Sequence, residues 1–327
     1  MNKLLHILIF SATLLFGSVA FASDDSSDAG MTWLMRMSQA MQNESYTGTY
    51  VYLHGGKIET LQLQHYRSET GNYERLVSLN GEAREIIRDN SHVTCIWPGS
   101  KSVIVSRSTP STPFAEWVEG RVDEFKKWYE MSVLGEERIA GRLATVIGIL
   151  PRDGMRYGHK IWIDSENSLL LGSQMFDLKG GVVEQVLFTQ MQLTQSFHAA
   201  QFVPSITDPS YQWQQPVEPL ENVDFAVDWV FSELPVGFAQ VSEAIKPMGE
   251  HNTPTHHVTL SDGLASVSVY IEEITTGSPE ALVGESQMGA MSAFGRKVAN
   301  FHVTVVGEVP MSTAAAIGQS VAIAGES

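Results

Sequence analysis

The spacing of apolar positions changes several times along the chain, and each change marks an element. Met31, Leu34, Met35 and Met41 recur near helical spacing, with Trp33 and Met37 beside them, so a short helix is expected to lay a methionine-rich stripe on a core. From Tyr46 the period becomes two. Tyr46, Gly48, Tyr50 and Tyr52 alternate with Thr47, Thr49, Val51 and Leu53, Gly55-Gly56 makes a turn, and a second strand is expected over 58–66. Asn80-Gly81 stands between alternating runs at 73–79 and 82–88, which predicts a two-residue hairpin whose turn positions both need positive φ. Runs at 93–97 and 102–106 flank Pro98-Gly99 and extend a long antiparallel meander.

Beyond a Pro/Ser/Thr loop at 107–113 comes the strongest helical pattern. Phe114, Trp117, Val118, Val122, Phe125, Trp128 and Tyr129 share one face, with Glu116, Glu119, Asp123, Glu124 and Lys127 largely elsewhere. This helix over 114–129 should lie on the meander, each large side chain contributing about 2 kcal/mol on burial. Strands are expected at 143–150, 157–163, 169–176 and, after Lys179-Gly180-Gly181, at 182–193. So many strands with so few helices imply a strongly curved sheet wrapped around a helix, with room for a cavity on its concave side.

Periodicity then stops. Pro204, Pro209, Pro216 and Pro219 make 205–223 a semi-rigid linker between a large unit at 23–204 and a smaller one at 224–327. The second unit reads as small α+β: a strand at 258–260, the turn Ser261-Asp262-Gly263, an alternating strand at 264–271, an Ala/Gly/Met segment at 287–294, a strand at 302–306 and a helix at 313–323.

Other sequence features narrow the class. Lys3, an apolar run over 4–16 and Ala20-Phe21-Ala22 read as a signal peptide (residues 1–22) cleaved after Ala22, which implies a soluble periplasmic protein. The run is too short for an anchor, since spanning takes about 20 apolar residues. The single cysteine, Cys95, permits no internal disulfide and no zinc site built on two cysteines, and its apolar strand makes it a packed structural thiol. Residues 23–204 carry 17 basic and 22 acidic side chains, whereas 205–327 carry 3 and 15, so the net charges are −5 and −12. The second half therefore excludes non-specific nucleic-acid binding, and any capacity to hold phosphate lies in the first.

The search for chemistry is brief. Gly-x-Ser-x-Gly, His-Glu-x-x-His, Walker and Gly-x-Gly-x-x-Gly motifs are all absent, so no catalytic residue, cofactor or metal site is assigned and an enzyme is not expected. His256 and His257, with His251 nearby, are adjacent on a strand and should point to opposite faces, a poor geometry for one metal. Asp262 reads as a turn former. Arg67, Arg75, Arg84 and Arg88 lie on neighbouring strands of the meander, and Arg84 and Arg88 share strand parity, so the pair can clamp an anion. The competing reading pairs these arginines with Glu69, Glu74, Glu82 and Glu85 as surface ion pairs of little energetic value.

Several segments carry a resemblance. SDGLASVSVYIE at 261–272 and VTVVGEVP at 303–310 resemble signature stretches of the RseB/MucB family, as do YTGTYVY at 46–52, ERLVSLNGE at 74–82 with EIIR at 85–88, and WID at 162–164. They occur in the expected order across the whole mature chain. The resemblance implies an α+β, mainly β protein: a large N-terminal half-open β-barrel with covering helices, similar to periplasmic lipoprotein carriers, then a Pro-rich linker and a small α+β C-terminal domain. It also implies a negative regulator of the envelope stress response governed by sigma-E. Such a protein binds the periplasmic domain of an inner-membrane anti-sigma factor (RseA/MucA-like), protects it from regulated proteolysis, and leaves when lipopolysaccharide or a lipid ligand binds. On that reading Arg67, Arg75, Arg84 and Arg88 are candidates for the ligand's phosphates, and Trp117, Phe125 and Trp128 for its acyl chains. A periplasmic lipid or lipoprotein carrier is the alternative, with a hydrolase third; homodimerisation is left open.

Overall fold

In the computed structural model, residues 23–108, 122–194, 198–215, 227–248, 253–275 and 282–325 are described. The expected signal peptide, with its cleavage site, lies outside them, as do Phe114, Trp117 and His251. No helix among the described residues is long and apolar enough to cross a membrane.

The methionine-rich stripe forms helix α1 (Ser23–Asn43), with Met31 and Leu34 buried. The meander follows as β1 (Tyr46–His54), β2 (Lys57–Ser68), β3 (Gly71–Ser78), β4 (Glu85–Arg88), β5 (His92–Trp97) and β6 (Ser102–Arg107). Helix α2 (Val122–Trp128) leads into a second meander: β7 (Tyr129–Ile139), β8 (Arg142–Pro151), β9 (Gly158–Asp164), β10 (Leu170–Phe176) and β11 (Val182–Leu193). The short β12 (Gln212–Gln214) completes one 12-stranded sheet of order β12-β6-β5-β4-β3-β2-β1-β11-β10-β9-β8-β7. The two meanders meet at a single antiparallel seam between β1 and β11, in register from Tyr46 opposite Leu193 to His54 opposite Glu184, with an irregularity at Thr49/Tyr50. β12 and β7 remain at opposite edges, so the sheet is half-open, as expected, and not a closed barrel. Both helices pack on the β7 end: Met31, Leu34 and Phe125 join Tyr129, Met131, Ile147, Ile149, Ile161 and Ile163 in one core.

The second body contains β13 (Trp229–Phe231), β14 (Ala239–Met248), β15 (Thr253–Ser261), β16 (Ser266–Glu273), β17 (Gly284–Met288), β18 (Met291–Val298), β19 (Phe301–Gly307), α3 (Met311–Ser320) and β20 (Val321–Ile323). Six strands form a sheet of order β14-β15-β16-β19-β18-β17, while β13 pairs with β20. Alternation in β16 turns Val267, Val269 and Ile271 inward against Val303 and Val305 of β19, and α3 closes this core with Ala314 and Ile317.

Several expectations need correction. Asn80-Gly81 is not a two-residue hairpin, because β3 ends at Ser78 and β4 starts at Glu85. Only Gly81 has positive φ (+72°), while the Asn80 amide is spent on β2, accepting from Thr60 N (2.5 Å) and donating to Ile58 O (3.3 Å). The helix expected to run to Tyr129 stops at Trp128, and Tyr129 opens β7, a strand the apolar pattern did not show. The final helix likewise ends at Ser320, because Val321–Ile323 pairs with β13. The Ala/Gly/Met segment is the β17–β18 hairpin, and β14 was not anticipated. Within the stretch read as linker, Gln212–Gln214 runs parallel to β6.

Candidate functional site

The strand registers bring apolar side chains into a row across the first meander. Gly48 stands opposite Leu63, Leu63 opposite Leu76, Leu76 opposite Ile86, Ile86 opposite Cys95, and Cys95 opposite Ile104. Neighbours in register share a face. Across the seam the row continues to buried Met191, whereas Leu63, Leu76, Ile86 and Cys95 stay half-buried and Ile104 is exposed. Burial pushes the Cys95 thiol pKa up, consistent with packing in this row.

The four arginines surround this region, each with a partner of its own. Arg67 Nη1 donates to Asn72 Oδ1 (3.3 Å). Arg84 reaches Glu59 on β2 (3.0 Å) and Arg88 reaches Glu74 on β3 (3.6 Å). Arg84 and Arg88 do share a face, since Arg88 is opposite Glu74 and Ser78 N donates to Arg84 O, but carboxylates of two different strands hold their guanidiniums apart. Arg75 differs. Its Nε donates to buried Glu85 (2.7 Å) and its Nη1 to Gln201 O (3.3 Å), while Ser205 N donates to the other Glu85 oxygen (3.2 Å). This pair fastens the segment leaving the large sheet across β3 and β4.

The aromatic candidates pack inward. Phe125 is fully buried and stacks on Tyr129 with ring centroids 4.8 Å apart. Trp128 lies beside the guanidinium of Arg156, 5.6 Å from ring centroid to Cζ. Arg156 is the residue that the sequence did not single out. It sits in the β8–β9 loop with 0% exposure, and its Nε donates to Asp262 of the second body (2.5 Å). Its other nitrogens donate to Asp153 and to the Val236 carbonyl, and Tyr129 and Phe238 complete an aromatic enclosure at 5.6 and 5.1 Å. Tyr129 donates its hydroxyl to the same Asp262 oxygen (2.8 Å). Burial first, and the Asp262 charge second, push the Tyr129 pKa far above the ordinary tyrosine range.

Asp262 does form the expected turn: Oδ1 accepts from Leu264 N (3.1 Å) and Ala265 N (2.8 Å). Its second oxygen carries the contact between the bodies. Leu264, at the tip of that turn, packs against the core of the first body. Thr313 Oγ1 donates to Met155 O (2.6 Å), and a cavity of about 580 Å³ opens alongside, lined by Asp153, Met155, Leu234, Val236, Ala316 and Gln319 among others. Across the same junction, burial raises the carboxyl pKa of Glu308, and the charge of Glu184 adds to the effect. His256 and His257 point apart as expected. His256 faces Glu243 (2.5 Å), whereas His257 stacks on Tyr270 and meets Ser268 (3.0 Å). Among the described residues no cluster could hold a metal.

The fold is thus a half-open sheet with an apolar row, buttressed through a buried ion pair by a second α+β body. The chain belongs to the MucB/RseB family: residues 29–206 match the MucB/RseB N-terminal domain and 224–322 the MucB/RseB C-terminal domain. It is 29% identical over 321 residues to the sigma factor AlgU regulatory protein MucB of Pseudomonas aeruginosa, covering 95% of this chain and 96% of that one. To the sigma-E factor regulatory protein RseB of Escherichia coli K12 it is 26% identical, over 96% and 97%. The crystal structure of MucB in complex with MucA(peri) superposes with a TM-score of 0.66 at 27% identity, over 90% of this chain and 98% of that one. The Pseudomonas aeruginosa MucA/MucB complex gives 0.68 at 28%, over 90% and 99%.

Proposed function

We propose that this chain is a periplasmic regulator that binds the periplasmic domain of a membrane anti-sigma factor and shields it from proteolysis. It releases that partner when a lipopolysaccharide-like or lipid ligand binds. The observation that carries this reading is the likeness along nearly the whole chain to MucB as it stands in its complexes with MucA. In this reading residues 23–204 and 224–327 act as two domains, and 205–223 as their linker. The acidic smaller domain holds the partner.

The apolar row from Met191 to Ile104 supports an acyl-chain surface on the large sheet, and Arg67, Arg84 and Arg88 stand close enough in the sheet to meet headgroup phosphates. The carboxylate partners of Arg84 and Arg88 must give way first, at little expense for the exposed Arg88–Glu74 pair. Release requires that lipid binds the free protein more tightly than the complex, since a ligand shifts an equilibrium only by its differential affinity.

The test is the affinity of the mature protein for the anti-sigma periplasmic peptide, titrated with and without a lipid A fragment. Weakened peptide binding at saturating fragment is expected; unchanged affinity sinks the release step, and no peptide binding at all sinks the regulator reading. A lipid carrier would instead move lipid between vesicles without engaging the peptide.

A further inference from the structure

We infer that Arg156, Asp262 and Tyr129 form a latch that fixes how the two bodies sit, and that the protein opens at this junction when the latch breaks. Both charged groups have 0% exposure, yet they come from positions 106 residues apart and from bodies with separate hydrophobic cores. A buried guanidinium is held only by the acceptors around it, and here those acceptors belong to both bodies: Asp153 from the first, Asp262 and the Val236 carbonyl from beyond the linker. Asp262 is equally saturated, with two turn amides on one oxygen and Arg156 and Tyr129 on the other.

Losing Arg156 leaves Asp262 buried without its counter-ion, and losing Asp262 leaves the buried Arg156 with Asp153 of its own body alone. Separation of the bodies, which lets water reach the remaining charge, then becomes the favoured response. Other hydrogen bonds across the junction join neutral groups: Thr313 to Met155, Ser312 to Gly154, and Gln287 to Tyr157. Gly237 contributes to the closed state as well. Its φ of +92° and missing Cβ let the chain pass against the Arg156 guanidinium and the Trp128 indole. Opening exposes the β8–β9 loop and the turn Ser261-Asp262-Gly263 together, so the latch controls access to both.

The experiment uses the full mature chain. Asp262→Asn keeps a carbonyl for the turn amides while removing the charge that holds Arg156. The readouts are small-angle scattering and the rate of tryptic cleavage after Arg156, with cleavage after exposed Lys101, in the β5–β6 turn at the far end of the large sheet, as internal reference. The variant is expected to have a larger maximum dimension, with cleavage after Arg156 at least about tenfold faster, because proteolysis follows the open population. Unchanged scattering together with unchanged cleavage overturns the latch. Should Asp262→Asn lose its far-UV circular dichroism, Tyr129→Phe decides. That change deletes one bond to Asp262 and keeps the ring stacked on Phe125. Faster cleavage after Arg156 with unaltered circular dichroism supports the latch, and wild-type cleavage refutes it.

Discussion

Gly237→Ala puts a single methyl group where the junction is tightest. Gly237 has φ +92°, and a Cβ there would stand 2.5 Å from Arg156 Nη2 and 2.8 Å from Trp128 Nε1. Two costs follow. Holding an L-residue at positive φ takes about 1–2 kcal/mol. The contact takes more, because the guanidinium cannot retreat without losing bonds to the Val236 carbonyl or Asp262. A lost charge-assisted hydrogen bond is worth about 1.5–3 kcal/mol, so the total is roughly 2.5–5 kcal/mol. Gly81→Ala is the control, since Gly81 has φ +72° with nothing within 4 Å of its Cβ position, leaving only the backbone cost. Urea unfolding followed by tryptophan fluorescence measures both, with each transition fitted separately if the two cores unfold apart. Gly237→Ala should be the more damaging by about 2 kcal/mol. Equal losses in the two variants would show that Arg156 moves freely and that the junction is not rigid.

Glu85→Ala removes the carboxylate shared by Arg75 and Ser205, so hydrogen exchange at Ser205 should quicken sharply, at a global cost of about 2–3 kcal/mol. Glu74→Ala, which breaks the 3.6 Å exposed pair with Arg88, should cost under about 1 kcal/mol in the same assay. Burial holds the His159 imidazole down to about 4 from 6.5, with the nearby Asp262 charge opposing it. Because the unfolded chain takes up that proton first, stability should fall as pH drops from about 6.5 towards 4, and His159→Gln should flatten that part of a melting-temperature profile. Gly48→Ala would bring a Cβ within 2.7 Å of the Phe188 ring and 2.9 Å of the Gln190 carbonyl, destabilising the seam by about 1–3 kcal/mol in urea titrations.

The strands that the sequence made legible are those whose burial alternates, such as Ser266–Glu273 and the start of Tyr46–His54. β7 and β14 escaped because they are edge strands with stretches polar on both sides, Glu136, Glu137 and Arg138 in the second half of one and Glu243 and Lys246 in the other. β7 was hidden further by the aromatic run of α2, which continues into Tyr129 without a breaker. The Asn-Gly signal misled for another reason: a tertiary partner on β2 took the Asn80 side chain and drew the turn out into a longer loop. As for the site, the arginines of the meander could be named but not their partners. Glu59 was missed because it lies one strand beyond the hairpin neighbours that were considered. Arg156 gave no signal, since a loop arginine beside Asp153 reads as solvated until the turn at Asp262 is brought against it.

The β1–β11 seam has a consequence for the order in which the molecule can be made. Each meander pairs strands that follow closely in sequence, so β1–β6 and β7–β11 can both assemble from local contacts soon after they are synthesised. The seam joins Tyr46 to Leu193, and its partner strand is the last of the second meander. Until residue 193 has emerged, β1 is a bare edge carrying Tyr50 and Tyr52. A folding chain therefore passes through a stage with two half-sheets and an adhesive margin, which is the stage most exposed to mispairing with another copy.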